Sequence, residues 1–242
     1  MKNKIVNFLV YLIVLINFNT NVLSNEIEFE AKNIETIDKN LIIATDNVVV
    51  TDAAGNKIYG DKLTINNNDN TYTITGNAIV EDIINLIKLN TEKVIYTVND
   101  NKIKTIGKTD ISVDGYYFIK TSNILYDINL KKISSNEKTS VSDQQSNVLE
   151  IENFIFSLKD SSLIANKANI TDKNLNQYKL EKLFYNFKEK KILGKDVAIN
   201  EDNTLSNERY LPRAKGRSFV LENDSMTLKK SVYTNCKKRD GC

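Results

Sequence analysis

The sequence predicts an all-β protein: a twisted β-jelly roll, a solenoid-like stack of antiparallel strands built from repeats of about 30 residues. Three observations predict it. Similar segments begin near Glu28, Lys57, Ile87, Tyr117, Val148 and Tyr178, in steps of 29, 30, 30, 31 and 30 residues. Within each unit apolar and polar residues alternate with period two, and β-branched and aromatic side chains fill the apolar positions. Beyond the first 24 residues no stretch holds an apolar stripe at the helical period.

Those first 24 residues are a different kind of sequence. Lys2 and Lys4 precede a nearly continuous apolar run from Ile5 to Ile16, and a small residue, Ser24, stands before Asn25. That is the layout of a secretory signal peptide, with cleavage expected near Ser24. A run of this length falls short of the roughly 20 residues that span a bilayer as a helix. The expected organisation is a signal peptide over 1–24, a repeat domain over 25–203, and a terminal region over 204–242. The mature chain is read as exported.

Each unit opens on a short alternating strand, turns at Asn or Asp, and continues into a second strand. The second strands cover 41–50, 72–80, 103–113, 131–141, 162–170 and 190–199. Tyr72, Ile74, Gly76, Ala78 and Val80 share one face of such a strand; Val94, Tyr96 and Val98, and Ile124, Tyr126 and Ile128, do the same in theirs. The breaks are turn chemistry, as in Ala54-Gly55-Asn56, Asn99-Asp100-Asn101 and Asp114-Gly115. Clean alternation favours antiparallel strands over a buried parallel sheet. Gly76, Gly107 and Gly194 recur at equivalent places, either as bends that curl the sheet or as ordinary turn glycines. Asp46, Asp61, Asp110 and Asp196 recur beside strands and read as turn-capping acids.

About 14 or more strands in two stacked layers would enclose an apolar interior. The candidate lining of a slot between the layers is Ile74, Val80, Val94, Tyr96, Val98, Ile111, Val113, Ile124, Tyr126, Ile128, Phe154 and Phe156. Two readings stand for these residues: an open slot that berths alkyl chains, or a sealed core. A stack also has open ends, and strands around Leu41 to Val50 are the expected N-terminal edge for strand addition.

After Asn203 the pattern changes. Asn207 to Arg217 reads as an irregular basic insertion, either a solvated loop or a patch for phosphates, and Ser218 to Val232 as a seventh, offset unit. Charge is nearly balanced, 33 Lys+Arg against 31 Asp+Glu, which excludes the strongly basic footprint of a nucleic-acid binder. There is no histidine, and no nucleophile elbow, phosphate loop or metal-ligand spacing. The expectation is a protein that is not an enzyme and carries no cofactor or metal. The two cysteines, Cys236 and Cys242, are disulfide candidates in an oxidising compartment. They could join to each other, stay free, or pair with cysteines this chain lacks.

The phrase Thr73-Ile74-Thr75-Gly76-Asn77-Ala78-Ile79-Val80, with its variant Ile192 to Ile199, resembles the recurring unit of the OstA-like family of lipopolysaccharide transport proteins. The resemblance covers about 28–199. The tail from Ser231 to Cys242, after the basic stretch Pro212 to Arg217, looks like the junction at which outer-membrane members of that family pass from periplasmic jelly roll to β-barrel. There cysteines flank the step, and their disulfides join the two parts. The resemblance implies receipt of lipopolysaccharide in the periplasm and its delivery to the outer membrane of a Gram-negative bacterium. It implies as partners a periplasmic LptA-like bridge protein docking by strand addition and, with the barrel, an LptE-like lipoprotein plug. The barrel should follow, and the chain stops at Cys242. A stand-alone bridge protein of the LptA kind is the alternative. Outside the family, a secreted β-solenoid polysaccharide lyase would show an acidic, or Lys/Arg-with-Tyr, cluster on one strand face. A structural repeat protein would bind no lipid.

Overall fold

A computed structural model of the protein describes residues 27–144, 147–171, 177–200, 213–222 and 225–234. The expected signal peptide, the insertion up to Pro212, and both cysteines lie outside them.

The described residues form one sheet of 17 strands, in which every pairing is antiparallel. The strands are β1 (Glu28–Glu30), β2 (Asn33–Asp38), β3 (Leu41–Thr51), β4 (Lys57–Asn66), β5 (Thr71–Asp82), β6 (Ile87–Thr97), β7 (Lys102–Val113), β8 (Tyr117–Ser122) and β9 (Leu125–Asp127). They continue with β10 (Lys132–Ser135), β11 (Thr139–Asp143), β12 (Val148–Ser157), β13 (Ser162–Thr171), β14 (Gln177–Asn186), β15 (Lys191–Asn200), β16 (Arg213–Glu222) and β17 (Ser225–Thr234). Three neighbouring pairs are halves of one bent strand. β2 and β1 lie along the first and second halves of β3, β9 and β8 along those of β7, and β11 and β10 along those of β12. The described residues therefore make a meander of fourteen bent arms, two to each repeat.

The expected pair of stacked sheets takes a different form: each arm crosses from one layer to the other through a bend near its middle. The reason lies in the sequence at the bends. Asp46 and Asn47 in β3, Gly76 and Asn77 in β5, Gly107 in β7, Asn153 in β12, Lys167 in β13 and Asp196 in β15 all have positive φ. Register shifts mark the same level, between Tyr59 and Lys62 and between Thr91 and Lys93. One extra residue at a bulge switches which positions face inward. In β6 the buried set is Ile87, Leu89 and Thr91 before the bulge, then Val94 and Tyr96 after it. Both halves of the arm thus turn an apolar face to the same interior.

Asp46 and Asp196 therefore belong to mid-strand bends rather than to turn caps, and Asp61 stands at the bend opposite Gly76. Asp110 sits within β7, paired with Lys120 and Asn90. Gly76 (φ +81°) and Gly107 (φ +93°) are bends as expected. Gly194 is not. Its φ is unremarkable, and it is required because a Cβ there would run into Leu180.

Bends interrupt the backbone ladder, and buried hydroxyls repair it. The Thr105 Oγ1 accepts from the Ile124 amide at 3.0 Å and shares a 2.7 Å hydrogen bond with the Thr109 hydroxyl. Thr91 donates to the Lys108 carbonyl at 2.9 Å, and Thr121 and Thr139 share a 2.7 Å bond. These threonines form a polar line along the closed side of the fold.

At the N-terminal end the outermost arm is β1 with β2, not Leu41–Val50, because β3 is covered by both. All six residues of β2 are exposed. At the other end β16 opens at Arg213, so the last residues of the basic stretch lie in a strand rather than a loop. β17 pairs with β16 and, among the described residues, with nothing beyond.

Candidate functional site

The bends put the hairpin turns at two facing rims. The first rim holds the turns after β3, β5, β7 and β11; the second holds those after β4, β6, β9, β12 and β14. Successive turns of the second rim are tied by backbone hydrogen bonds: Val98 to Asn70, Ile128 to Asn101, Leu158 to Lys131 and Phe187 to Ser161. Opposite the bends, the mouth of the fold lies between these rims.

Between the layers one apolar cluster runs the length of the stack, with half-buried Phe29 in β1 and Leu228 in β17 packed on its ends. Ten of the twelve candidate lining residues are buried in it: Ile74, Val80, Val94, Tyr96, Ile111, Val113, Ile124, Tyr126, Phe154 and Phe156. Val98 and Ile128 are half-buried against it, at the second rim. The sequence thus brings all twelve to one interior. That interior is packed shut. At the mouth a cavity of about 20 Å³ is lined by Val50, Ile58, Val80, Ile103 and Ile128, with Asp52, Asn56, Asp82, Tyr96 and Tyr126. It has room for about one water, far too little for an alkyl chain.

Two sets of polar residues at the rims were not among the sequence candidates. On the first rim, Asp52, Asp82 and Asp143 each accept from an asparagine side chain of the same turn, Asn56 at 2.9 Å, Asn85 at 2.7 Å and Asn147 at 2.9 Å. The local signal is an aspartate followed three or four residues later by asparagine, in three units. Tyrosines of the second rim and nearby strands face these acids. Burial and then the Asp52 charge push the Tyr96 hydroxyl up to about 12. Tyr126 is pushed up by burial and then by its hydrogen bond to Asp82. Tyr117 and Tyr185 are raised first by burial. Farther along the mouth the rings of Tyr117, Phe156, Tyr185 and Phe187 close the rims, with centroids 4.2–5.5 Å from Phe187.

The second set is cationic. Lys131, Lys132, Lys159, Lys188 and Lys190 are exposed along the second rim. The period of the hairpins places them in a row, which no single segment of sequence displays.

No family model matches the chain, and no curated protein matches it. Among solved structures it is similar to LptH, the LptA homologous periplasmic component of the conserved lipopolysaccharide transport device from Pseudomonas aeruginosa. The identity is 22% and the TM-score 0.38, over 43% of this chain and 76% of that one.

Proposed function

We propose that this chain is exported and serves as a periplasmic carrier of lipopolysaccharide, acting without covalent chemistry. The observation that carries the reading is the single apolar interior that runs through all fourteen arms, from Phe29 to Leu228. Acyl chains would part the layers and lie among Ile74, Val94, Tyr96, Ile111 and Tyr126. Phosphorylated sugars would remain in water against the lysines of the second rim. Each methylene taken from water contributes roughly 0.8 kcal/mol, so a few chains are held firmly without specific hydrogen bonds. Repeated arms offer successive positions of similar affinity, as transfer along the stack requires.

Within this reading the chain is the periplasmic part of an outer-membrane LPS-assembly protein of the LptD type. Support comes from the tail Ser231 to Cys242, with cysteines placed where that protein steps into its barrel. It would receive lipid from an LptA-like bridge docked by strand addition on β2, and with a barrel it would hold an LptE-like plug. A stand-alone LptA-like bridge is the second form, favoured by the two end arms, β1 with β2 and β17, which among the described residues pair along one side only, as the ends of a chain of similar stacks would.

The test is in vivo photo-crosslinking. A photoreactive residue at Tyr96 or Ile111, both interior, should capture lipopolysaccharide; one at Lys104 or Asp110, both exposed on the outer face of β7, should not. Equal capture from both faces, or none from either, would refute the carrier reading.

A further inference from the structure

One hydrogen-bonded group joins the two rims where the mouth cavity lies. Asp82 ends β5 on the first rim, and Tyr126 lies in β9 beside the second. They are 44 residues apart, and the Tyr126 hydroxyl donates to the Asp82 carboxylate. Asn85 Nδ2 donates to the same carboxylate oxygen, Asp82 Oδ2, at 2.7 Å and lies 3.3 Å from the Tyr126 oxygen. The amides of Ile84 and Asn85 also donate to Asp82, at 3.1 and 2.8 Å. The acid and the phenol lie in the interior, Asp82 3% exposed and Tyr126 fully buried, while Asn85 is half-buried at the rim. A carboxylate sunk beside Val80, Ile58 and Ile128 is costly to keep unless fully bonded, and among the described residues the other buried polar side chains are neutral threonines and serines. The turn that carries the acid is itself unusual. It presents Ile83, Ile84 and Leu86 to solvent at 58, 62 and 58% exposure, and the turn after Tyr126 presents Leu130 at 61%. Apolar side chains thus flank the polar clasp on both rims.

We infer that the mouth cavity between Asp82 and Tyr126 is the port through which an alkyl chain enters sideways, and that the Asp82–Asn85–Tyr126 group is its latch. The inference rests on the lipid-carrier reading and assigns the place of loading within it. Ile83, Ile84, Leu86 and Leu130 collect the chain at the surface. Separation of Asp82 from Tyr126 then opens the way to Val50, Val80 and Ile103. Once the rims part, both polar groups can bond to water, so the open state leaves no buried charge stranded. The closed state is held by an interaction that breaks without disturbing the bends.

The experiment measures uptake of cis-parinaric acid, a fluorescent C18 chain, by stopped flow. Tyr126→Phe keeps the ring and removes the latch hydroxyl. A hydrogen bond to a charged group shifts an equilibrium by roughly one to two powers of ten, so uptake should quicken about ten-fold. Tyr59→Phe is the control, since Tyr59 bonds the Glu81 carboxylate outside the cavity; its uptake should match the unaltered protein. An unchanged rate in Tyr126→Phe, or an equal gain in Tyr59→Phe, would overturn the port. Absence of binding to the unaltered protein would overturn the carrier reading itself. Should Tyr126→Phe fail to fold, hydrogen exchange on the unaltered protein decides the matter. Saturating parinaric acid should cut protection of the amides of Ile84 and Asn85 several-fold while those of Thr105 and Thr109 hold. Unchanged or increased protection at Ile84 and Asn85 would overturn the inference.

Discussion

Gly76→Ala tests whether the bends, rather than the turns, create the two-layered shape. Gly76 has φ +81° at the bend of β5, and an added Cβ would come within 2.7 Å of the Asp61 Cβ and closer still to its carboxylate. Two costs follow. An L side chain in left-handed backbone costs about 1–2 kcal/mol. Pushing against Asp61, whose Cβ is fixed by β4 and cannot swing aside, adds about 1–3 kcal/mol in the manner of overpacking. At roughly 2–4 °C per kcal/mol for a chain of this size, the melting temperature should fall by about 5–20 °C. Gly115→Ala separates the two contributions. Gly115 also has positive φ, +62°, but a Cβ there meets nothing within 4 Å, so only the backbone cost applies. Adding Asp61→Gly to Gly76→Ala should restore the steric part and leave the backbone part, giving a coupling of about 1–3 kcal/mol in a double-mutant cycle. Thermal and urea unfolding followed by circular dichroism measure all five proteins: the unaltered chain, the three single variants and the double variant. A Gly76→Ala cost no larger than that of Gly115→Ala, or strict additivity with Asp61→Gly, would refute the reasoning.

Neighbours on β13 should behave oppositely: Leu163→Ala, fully buried, should cost about 2–5 kcal/mol in urea unfolding, whereas Ile164→Ala, 54% exposed, should cost under about 0.5. Alkaline pH should unfold the protein. The Tyr96 pKa is raised by folding to about 12 from an unfolded value near 10, so its contribution is complete below pH 10 and lost as pH rises through about 12; ionisation of Tyr96 itself, followed by NMR of its labelled ring, well ahead of the loss of β-sheet signal would contradict this. For strand addition, Glu35→Pro and Thr36→Pro should differ. Adjacent residues aim their amides to opposite sides of β2, so one variant should weaken docking of an LptA-like partner with stability intact; if neither does, β2 is not the docking edge. Changing Lys131, Lys159 and Lys188 together to Glu should weaken lipopolysaccharide binding about ten-fold or more at low salt, less at high salt, and leave parinaric acid binding unchanged; equal loss for both ligands would remove the lysines from headgroup binding.

Much of the fold was legible because a strand repeat writes its period into the chain. Units expected at Lys57, Ile87, Tyr117 and Val148 begin strands β4, β6, β8 and β12 at those residues. The inward sets around Ile74, Val94 and Ile124 were equally visible, since alternation is a local property. The bend was harder. In β6 the switch from Ile87, Leu89 and Thr91 to Val94 and Tyr96 is present in the sequence, yet it looks like two short alternating runs unless one knows that a single strand serves both layers. Gly194 resembled Gly76 in position but answers to a neighbour, Leu180, on another strand. The tie between Asp82 and Tyr126 spans 44 residues and has no local signature. The edge at β2 was missed because Asn33–Asp38 lacks the apolar alternation of its neighbours, for the same reason that all six of its residues face solvent.

Bends that fall at one level in every arm separate two properties that most folds link. The cross-section of the interior is set within each arm, by the number of residues on either side of its bend. The length is set only by how many hairpins are stacked, each adding about 9.5 Å at the usual strand spacing. Insertion of one residue in an arm would turn half of its apolar face outward. Insertion of a whole 30-residue unit would lengthen the interior and leave its cross-section unchanged, so the reach of such a stack can change by gain or loss of repeats without redesign of the wall.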